Sequence, residues 1–571
     1  MKMIKTAQFC VLFLLLNGVC QEAIGQKTSL GIGDLEFQLD SLFSDYSSPN
    51  RPGAAISVIK KGKVVFQKGY GSANLEYGIP ITTSTVFPVA SLSKQFTVFS
   101  ILLLADQGKL SFDDDVRKFI PELNDFGETI TLRHLAAHTS GLREEHDLRY
   151  ISGWRYDDVV TRGQILTLIR NQKKLNFRPG EHHVYCNTGF TLLAEVVERV
   201  SGQSFAEFTK SNIFDPLKMT NSLFYDNHER LIKNRAYSYW SDSEGKVFYK
   251  YGLNEGNVGP TGLFTTIEDL SIWALNFSDP KVGNTDIISQ MNTLATLRDG
   301  RTFGGAYGQY INEYKGLQQI YHGGSIAGFR TYLGRFPDQG FSVIVFSNSE
   351  GADANGLSMQ VAELFLKQSM TSKAPTPKDK EVPSPKIRIK NLRDFEGHYW
   401  DDERFHTSQV YVKNDTLMWS VNGGIGRPLV PIGSNYFKRL NSGIDIKVRF
   451  DIEGDAKVLW MTIENSIPQE MREFEPLIDK KEDYAEFTGR FFSEELNTSY
   501  TFLVEGGQLV AKHPRLNSIH LTPVEKDMFS GDASFFKNIK YERDTNNSVV
   551  GLWVSTFQSK NLHFRKMSLS K

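Results

Sequence analysis

Cysteine is almost missing from this chain. Cys10, Cys20 and Cys186 are the only three in 571 residues. The first two fall in an N-terminal stretch that has the marks of a secretory signal. Lys2 and Lys5 give a positive start, Phe9 to Leu16 an apolar run, and Ala23-Ile24-Gly25 small residues at the positions signal peptidase reads. Cleavage after Gly25 leaves Cys186 alone in the mature chain. That excludes an internal disulfide, even in an oxidising compartment, and any zinc site built on paired cysteines. Val19 is bulkier than the residue that normally precedes a lipidated cysteine, which argues against an anchor at Cys20.

Charge of one sign is lacking as well. The 65 Lys and Arg against 66 Asp and Glu leave a net charge of -1, with no concentrated basic stripe. A general pull toward nucleic acid or acidic membranes is not expected. Long apolar runs are also absent. The N-terminal run is too short to span a bilayer, and no later segment is apolar enough. The chain therefore reads as exported, periplasmic or secreted, with no transmembrane span in its mature form.

What is present is ordinary globular composition, 40% hydrophobic and 23% charged, in a chain too long for one core. Ala54 to Ile59 and Val64 to Tyr70 flank Lys61-Gly62 and read as a β-hairpin. Ser91 to Gln107 has helical spacing of Phe96, Phe99, Leu102 and Leu103, with Gly108 as a stop. Asn187 to Val200 is a second helix. Thr331 to Phe336 and Phe341 to Phe346 are strands around a Pro337-Asp338-Gln339-Gly340 turn, and Gly356 to Gln368 is a closing helix. Strands at both ends with helices between them predict an α+β domain over 30–370 whose sheet joins the two ends of the segment.

Residues 371–390, with Ala374-Pro375-Thr376-Pro377 and Pro383-Ser384-Pro385, read as a Pro-rich linker. Two repeats follow, over 391–480 and 481–571. Phe395-Glu396-Gly397 matches Phe487-Thr488-Gly489. Leu417 matches Leu509, Pro431 matches Pro523 and Phe437 matches Phe529, each at an offset of 92; Leu459-Trp460 and Leu552-Trp553 match at 93. A constant offset over so many positions predicts two copies of an all-β, barrel-like unit.

Three motifs carry chemistry. Ser91-Leu92-Ser93-Lys94 opens a helix, and positions i and i+3 share a face, so the hydroxyl and the amine can meet. An amine beside a serine can take or relay its proton, and the helix N-terminus favours developing negative charge. In Tyr185-Cys186-Asn187, a lysine nearby would favour the phenolate of Tyr185, making it a candidate base and then acid. The Asn187 amide can hold Lys94 and a substrate carbonyl. His322-Gly323-Gly324-Ser325 offers backbone that approaches a ligand closely, and the N–H of Ser325 can pair with that of Ser91 as an oxyanion hole. Taken singly, each has an ordinary explanation: Ser91 a helix cap, Tyr185 a core aromatic, Asn187 a cap, and the glycines a turn.

Taken together and in that order, they resemble the active-site serine β-lactamases and penicillin-binding proteins. The chain is similar to the β-lactamase-related serine hydrolase family of class C β-lactamases, D,D-peptidases, D-aminopeptidases and some carboxylesterases. Phe87-Pro88-Val89-Ala90 before the serine, Leu132-Arg133-His134-Leu135 through His138-Thr139-Ser140-Gly141-Leu142, Pro179-Gly180-Glu181, and Thr261-Gly262-Leu263-Phe264 extend the likeness over roughly 35–370. The resemblance implies one mixed sheet flanked by helices, plus a helical lobe, with the site between them. It implies Ser91 as nucleophile, Lys94 and Tyr185 handling the proton, Asn187 orienting substrate, His322 on the opposite wall, and no cofactor or metal. The implied reaction is hydrolysis of an amide or ester, in a D-amino-acid peptide or a small ester, by way of an acyl-enzyme on Ser91; the expected partner is such a small-molecule or peptide substrate. His322 replaces the lysine usual in class C β-lactamases and Gly323 the threonine, which points toward the peptidase and esterase branches rather than a dedicated β-lactamase. The alternatives are a true β-lactamase and a penicillin-recognising sensor with little turnover. Cys186 reads as a packed side chain. The C-terminal repeats are similar, more loosely, to lipocalin-like barrels, with Trp400 and Phe491 as core aromatics and His398 and His406 as surface histidines. Oligomeric state is left open.

Overall fold

The computed structural model describes residues 32–242, 244–371, 391–402, 405–421, 426–440, 446–453, 456–463, 468–477 and 484–568. The expected signal segment and most of the Pro-rich linker lie outside them.

The first unit is built on a six-stranded sheet. Strands β1 (Ala54–Lys60) and β2 (Lys63–Tyr70) form the N-terminal hairpin, and β3 (Tyr310–Tyr314), β4 (Leu317–Ile326), β5 (Phe329–Phe336) and β6 (Phe341–Ser347) complete the order β3-β4-β5-β6-β1-β2. Lys61 and Gly62 both take positive φ, 51° and 74°, as a two-residue hairpin turn requires. β1 pairs with β6, so the sheet does join the two ends of the segment. Every ladder in it is antiparallel, where the resemblance implied a mixed sheet.

Alternation places Ala54, Ile56 and Val58 on one face, with Leu39 of helix α1 (Ile32–Leu42) and Val361 of the closing helix. Ala55 and Ile59 face the other way, into a core with helix α2 (Ser93–Asp106). Both faces are covered, so β6 is buried along its whole length. In α2, Phe96 stacks on Trp273 at 4.1 Å, and the indole N–H donates to Gln95 at 2.9 Å. Burying each such ring contributes about 2 kcal/mol. A helical lobe packs on the far side of α2: helix α3 (Glu145–Ile151), helix α4 (Arg162–Arg170) and helix α5 (Asn187–Ser201), which ends at Gly202 with a left-handed φ of 73°.

The C-terminal part is two closed antiparallel barrels of eight strands each. Leu417 and Leu509, Pro431 and Pro523, Phe437 and Phe529, and Trp460 and Trp553 fall in corresponding strands of the two. Their interiors are filled by side chains such as Tyr399, Trp419 and Phe437 in the first and Phe502, Phe529 and Tyr541 in the second. Trp400 and Phe491 are buried in packing. His398 and His406 are half-buried, so they are less exposed than surface histidines. Trp400 and Phe474 of the first barrel meet Val524 and Met528 of the second.

The second barrel also docks on the first unit. Leu148 and Ile151 of α3 and Leu168 of α4 share its core. The Tyr500 hydroxyl donates to the Ile151 carbonyl at 3.0 Å. Arg143 forms a buried ion pair with Glu495 and donates to the carbonyls of Lys560 and Asn561. Among the described residues, no helix is long and apolar enough to cross a membrane.

Candidate active site

Ser91 sits in a short 3-10 turn, Ala90–Leu92, that leads into α2. Ala90, just before it, takes φ 49°, a conformation that costs a non-glycine residue free energy and tends to be kept where function needs it. One turn on, Lys94 is wholly buried. Its Nζ donates to Ser91 Oγ at 3.2 Å, Asn187 Oδ1 at 2.7 Å and the Pro260 carbonyl at 2.9 Å. The Tyr185 hydroxyl donates to Ser91 Oγ at 2.7 Å. The serine oxygen thus lies between a phenol and an amine.

Burial sets the charges of these groups. Desolvation pushes the Lys94 ammonium down to about 7, against the opposing pull of the Glu144 and Glu145 carboxylates. A free amine is therefore available at neutral pH. Tyr185 moves the other way: burial raises its phenol well above the ordinary value, and this outweighs the effect expected from the nearby lysine. Tyr185 is a phenol here, not a phenolate, so of the two Lys94 is the better base. Burial, with Lys94 next, lowers His322 to about 4, so the opposite wall is neutral near pH 7.

That wall is β4. Gly323, Gly324 and Ser325 pair with Tyr332, Thr331 and Arg330 of β5. A Cβ on Gly324 would lie 2.4 Å from the Val89 carbonyl oxygen and 2.2 Å from Thr331 Oγ1. Only glycine lets the strand pass this close to the serine turn. At Gly323 an added Cβ would meet nothing nearer than 3.8 Å, an ordinary contact, so a methyl would be tolerated there. His322 turns Nδ1 to the Gly323 carbonyl, and its buried Nε2 has no hydrogen-bond partner.

Ser91, Tyr185, Asn187, His322, Gly323, Gly324 and Ser325 all line one cavity of about 660 Å³, and Lys94 lies beneath its floor. The structure thus gathers all eight residues singled out in the sequence. It also adds residues that the sequence did not mark. Glu144 accepts from Asn187 Nδ2 at 2.7 Å and from the Asn187 backbone N–H, the first free donor of α5. His146 Nδ1 lies 2.7 Å from the same carboxylate. His138, within a motif quoted above but given no role there, stacks on Tyr185 at 4.3 Å and accepts from the Cys186 N–H. Gln558, from the second barrel, donates to the Tyr185 carbonyl and lines the cavity. Tyr150 and Tyr156 stack at 6.1 Å along another side of it. No sequence signal could mark Gln558, 373 residues from its partner. Nor did the sequence mark Glu144, which lies in a run of charged residues, Arg143-Glu144-Glu145-His146-Asp147, that reads as solvated surface although Glu144 is buried.

Cys186 is buried and donates to the Leu142 carbonyl at 3.3 Å, and burial raises its thiol, so it is a packed side chain. Glu144, Glu145 and His146 bring ligand atoms within 4.8 Å of one another, a grouping that could hold a cation. Their charges are already matched. Arg149 pairs with Glu145 at 3.0 Å, and the neighbouring carboxylates raise His146 to about 9 despite its burial.

The profile of the family described as Beta-lactamase matches residues 39–365. The chain is 27% identical over 325 residues to the protein flp of Staphylococcus aureus strain MRSA252; the match covers 55% of this chain and 63% of that relative's length. It is 23% identical over 536 residues to a D-aminopeptidase of Brucella anthropi, covering 90% of this chain and 95% of the relative. Among solved structures, an octameric penicillin-binding protein homologue from Pyrococcus abyssi superposes with a TM-score of 0.54 at 26% identity, over 78% of this chain and 100% of its own. A D-amino acid amidase from Ochrobactrum anthropi, at 19% identity and a TM-score of 0.50 over 59% of this chain and 99% of its own, shares the fold.

Proposed function

This chain belongs to the beta-lactamase family, and from that premise we propose that it is a serine hydrolase that cleaves an amide or ester through an acyl-enzyme on Ser91. The observation that carries the reading is the Ser91 oxygen held between the Tyr185 hydroxyl and a Lys94 amine whose burial frees it at neutral pH.

The steps follow from the contacts. Ser91 Oγ attacks the substrate carbonyl carbon as its proton passes to Lys94 Nζ. The N–H groups of Ser91 and Ser325 stabilise the oxyanion. As the carbonyl re-forms and the C–N or C–O bond breaks, Tyr185 gives its proton to the leaving atom, and the Lys94 ammonium, 4.8 Å from its ring centroid, stabilises the phenolate. Water then attacks the acyl-enzyme, losing its proton to the same pair, and Ser91 is released. Asn187 holds Lys94 through its Oδ1 and lines the cavity that takes the substrate.

The substrate class we favour is a D-amino-acid peptide or a small ester. A relative named D-aminopeptidase aligns with nearly the whole chain, and a neutral His322 beside Gly323 offers no cation or hydroxyl for the carboxylate of a β-lactam. We read the chain as exported on the strength of its N-terminal charge, apolar run and small residues.

Intact-mass spectrometry after exposure to a fluorophosphonate, and separately to a penicillin, tests this. A single adduct lost in Ser91→Ala supports Ser91 as nucleophile, and a penicillin adduct that decays supports deacylation. A stable penicillin adduct without turnover of peptides or esters would favour the sensor. No adduct with either probe would sink the proposal.

A further inference from the structure

The side-chain amide of Asn187 has two ends, and both are engaged. Its Oδ1 accepts from Lys94 Nζ at 2.7 Å, and its Nδ2 donates to Glu144 Oε1 at 2.7 Å. An amide can swap its ends by rotating half a turn, and the swapped form would aim N–H groups at a lysine that itself donates. Something must forbid that rotation. An ionised carboxylate can only accept, so only the nitrogen end of Asn187 can face it.

Glu144 is suited to the task. It is buried, caps the first free N–H of α5 with its second oxygen, and so cannot turn away without leaving that donor bare. His146 on the other side holds the same carboxylate. Although burial opposes ionisation, the hydrogen bonds from His146 and Asn187 keep the carboxyl below its usual range. The residue before it, Arg143, is pinned by Glu495 of the second barrel, and the Arg143 carbonyl accepts from Thr188 of α5 at 2.6 Å. The loop is thus fixed at the residue before Glu144.

We propose that Glu144 is a positioning residue of this site, one that locks the Asn187 amide with its oxygen on Lys94 and holds a fixed negative charge behind the amine. The inference rests on the roles proposed above for Lys94 and Asn187. Glu144 bonds to Asn187 and His146 and not to Ser91, so it acts through its neighbours.

The charged and titratable groups around the Lys94 amine are Glu144 and Glu145 at the start of α3, Tyr185 and Cys186 before α5, His138 on the lobe and His322 on β4. Glu144 is the first of the opposing charges. Glu144→Gln removes it and offers a donor where two donors already point. Two effects follow. Acylation of Ser91 slows by on the order of 100-fold as Asn187 loses its fixed orientation. The lysine titrates at lower pH, so the acid limb of the acylation rate moves down. Glu144→Asp keeps the charge and should leave the limb in place while recovering part of the rate.

The experiment measures the second-order rate of fluorophosphonate acylation against pH for the full-length protein and both variants. It also follows the Lys94 ¹³Cε resonance through its titration, with near-ultraviolet circular dichroism as the check on folding. The expected result is a slow Glu144→Gln variant with both midpoints lowered and a Glu144→Asp variant with both near wild type. A folded Glu144→Gln variant with wild-type rate and midpoints overturns the inference while the hydrolase reading stands. A slower rate with unmoved midpoints also overturns it, leaving Glu144 a merely structural residue. If the wild type is not labelled at all, the hydrolase reading fails, and the ¹³Cε midpoint alone decides whether Glu144 governs Lys94.

Discussion

Lys94 spends its charge to become useful. In water its amine would be protonated far above neutral pH; in the core beneath Ser91 it releases its proton at about 7. On the proposed mechanism the free amine is the active form, so kcat/KM should rise as pH climbs through about 7 and level off above it, which a pH–rate profile will check. Tyr185 is the complementary partner, a phenol that burial keeps protonated until a leaving atom needs the proton. Tyr185→Phe keeps the ring that stacks on His138, so it should lower kcat about 10²- to 10⁴-fold while leaving the melting temperature nearly unchanged. Cys186→Ser should be close to silent in both activity and stability, because serine can make the same donation to the Leu142 carbonyl in the same volume. That the Ser91 and Lys94 side chains meet was legible because they sit one helical turn apart, but the roles proposed for them came from the three motifs taken together and from the family likeness. Glu144 and Gln558 were not legible, because their partners lie 43 and 373 residues away and only the folded chain brings them together.

At the scale of elements, the site depends on how near β4 runs to the turn of α2. The two glycines of the strand differ in what they permit. Gly324→Ala places a methyl against the Val89 carbonyl and Thr331, so β4 must move off the serine turn. Expected are a loss of about 1–3 kcal/mol in denaturant unfolding and a sharp fall in activity. Gly323→Ala adds a methyl that meets its nearest neighbour at an ordinary 3.8 Å and should fold normally, which unfolding curves run beside those of Gly324→Ala will compare. The hairpin, the central helices and the closing helix were readable from periodicity and turn residues, since their local and tertiary preferences agree. The antiparallel character of the whole sheet was not, because strand direction depends on which edges meet and not on any strand's own pattern.

At the scale of the molecule, the two barrels are alike in sequence but not in attachment. The repeat was visible because equivalent strands keep the same residues at a fixed offset, a property of one chain alone. The seam was not, because Arg143 and Glu495 are ordinary charged residues until they are buried against each other. Glu495→Ala leaves the Arg143 guanidinium buried and unpaired, and should destabilise the seam by about 3–5 kcal/mol with loss of activity. Calorimetry of the variant should show the second barrel melting away from the rest.

The seam also has a consequence for timing. A ribosome makes the nucleophile hundreds of residues before it makes Glu495 and Gln558, and the loop that carries Glu144 waits for both. The nascent hydrolase carries its reactive serine early but lacks the neighbours that set its geometry until the second barrel has closed. A site that leans on the far end of its own chain is complete only when that end is in place.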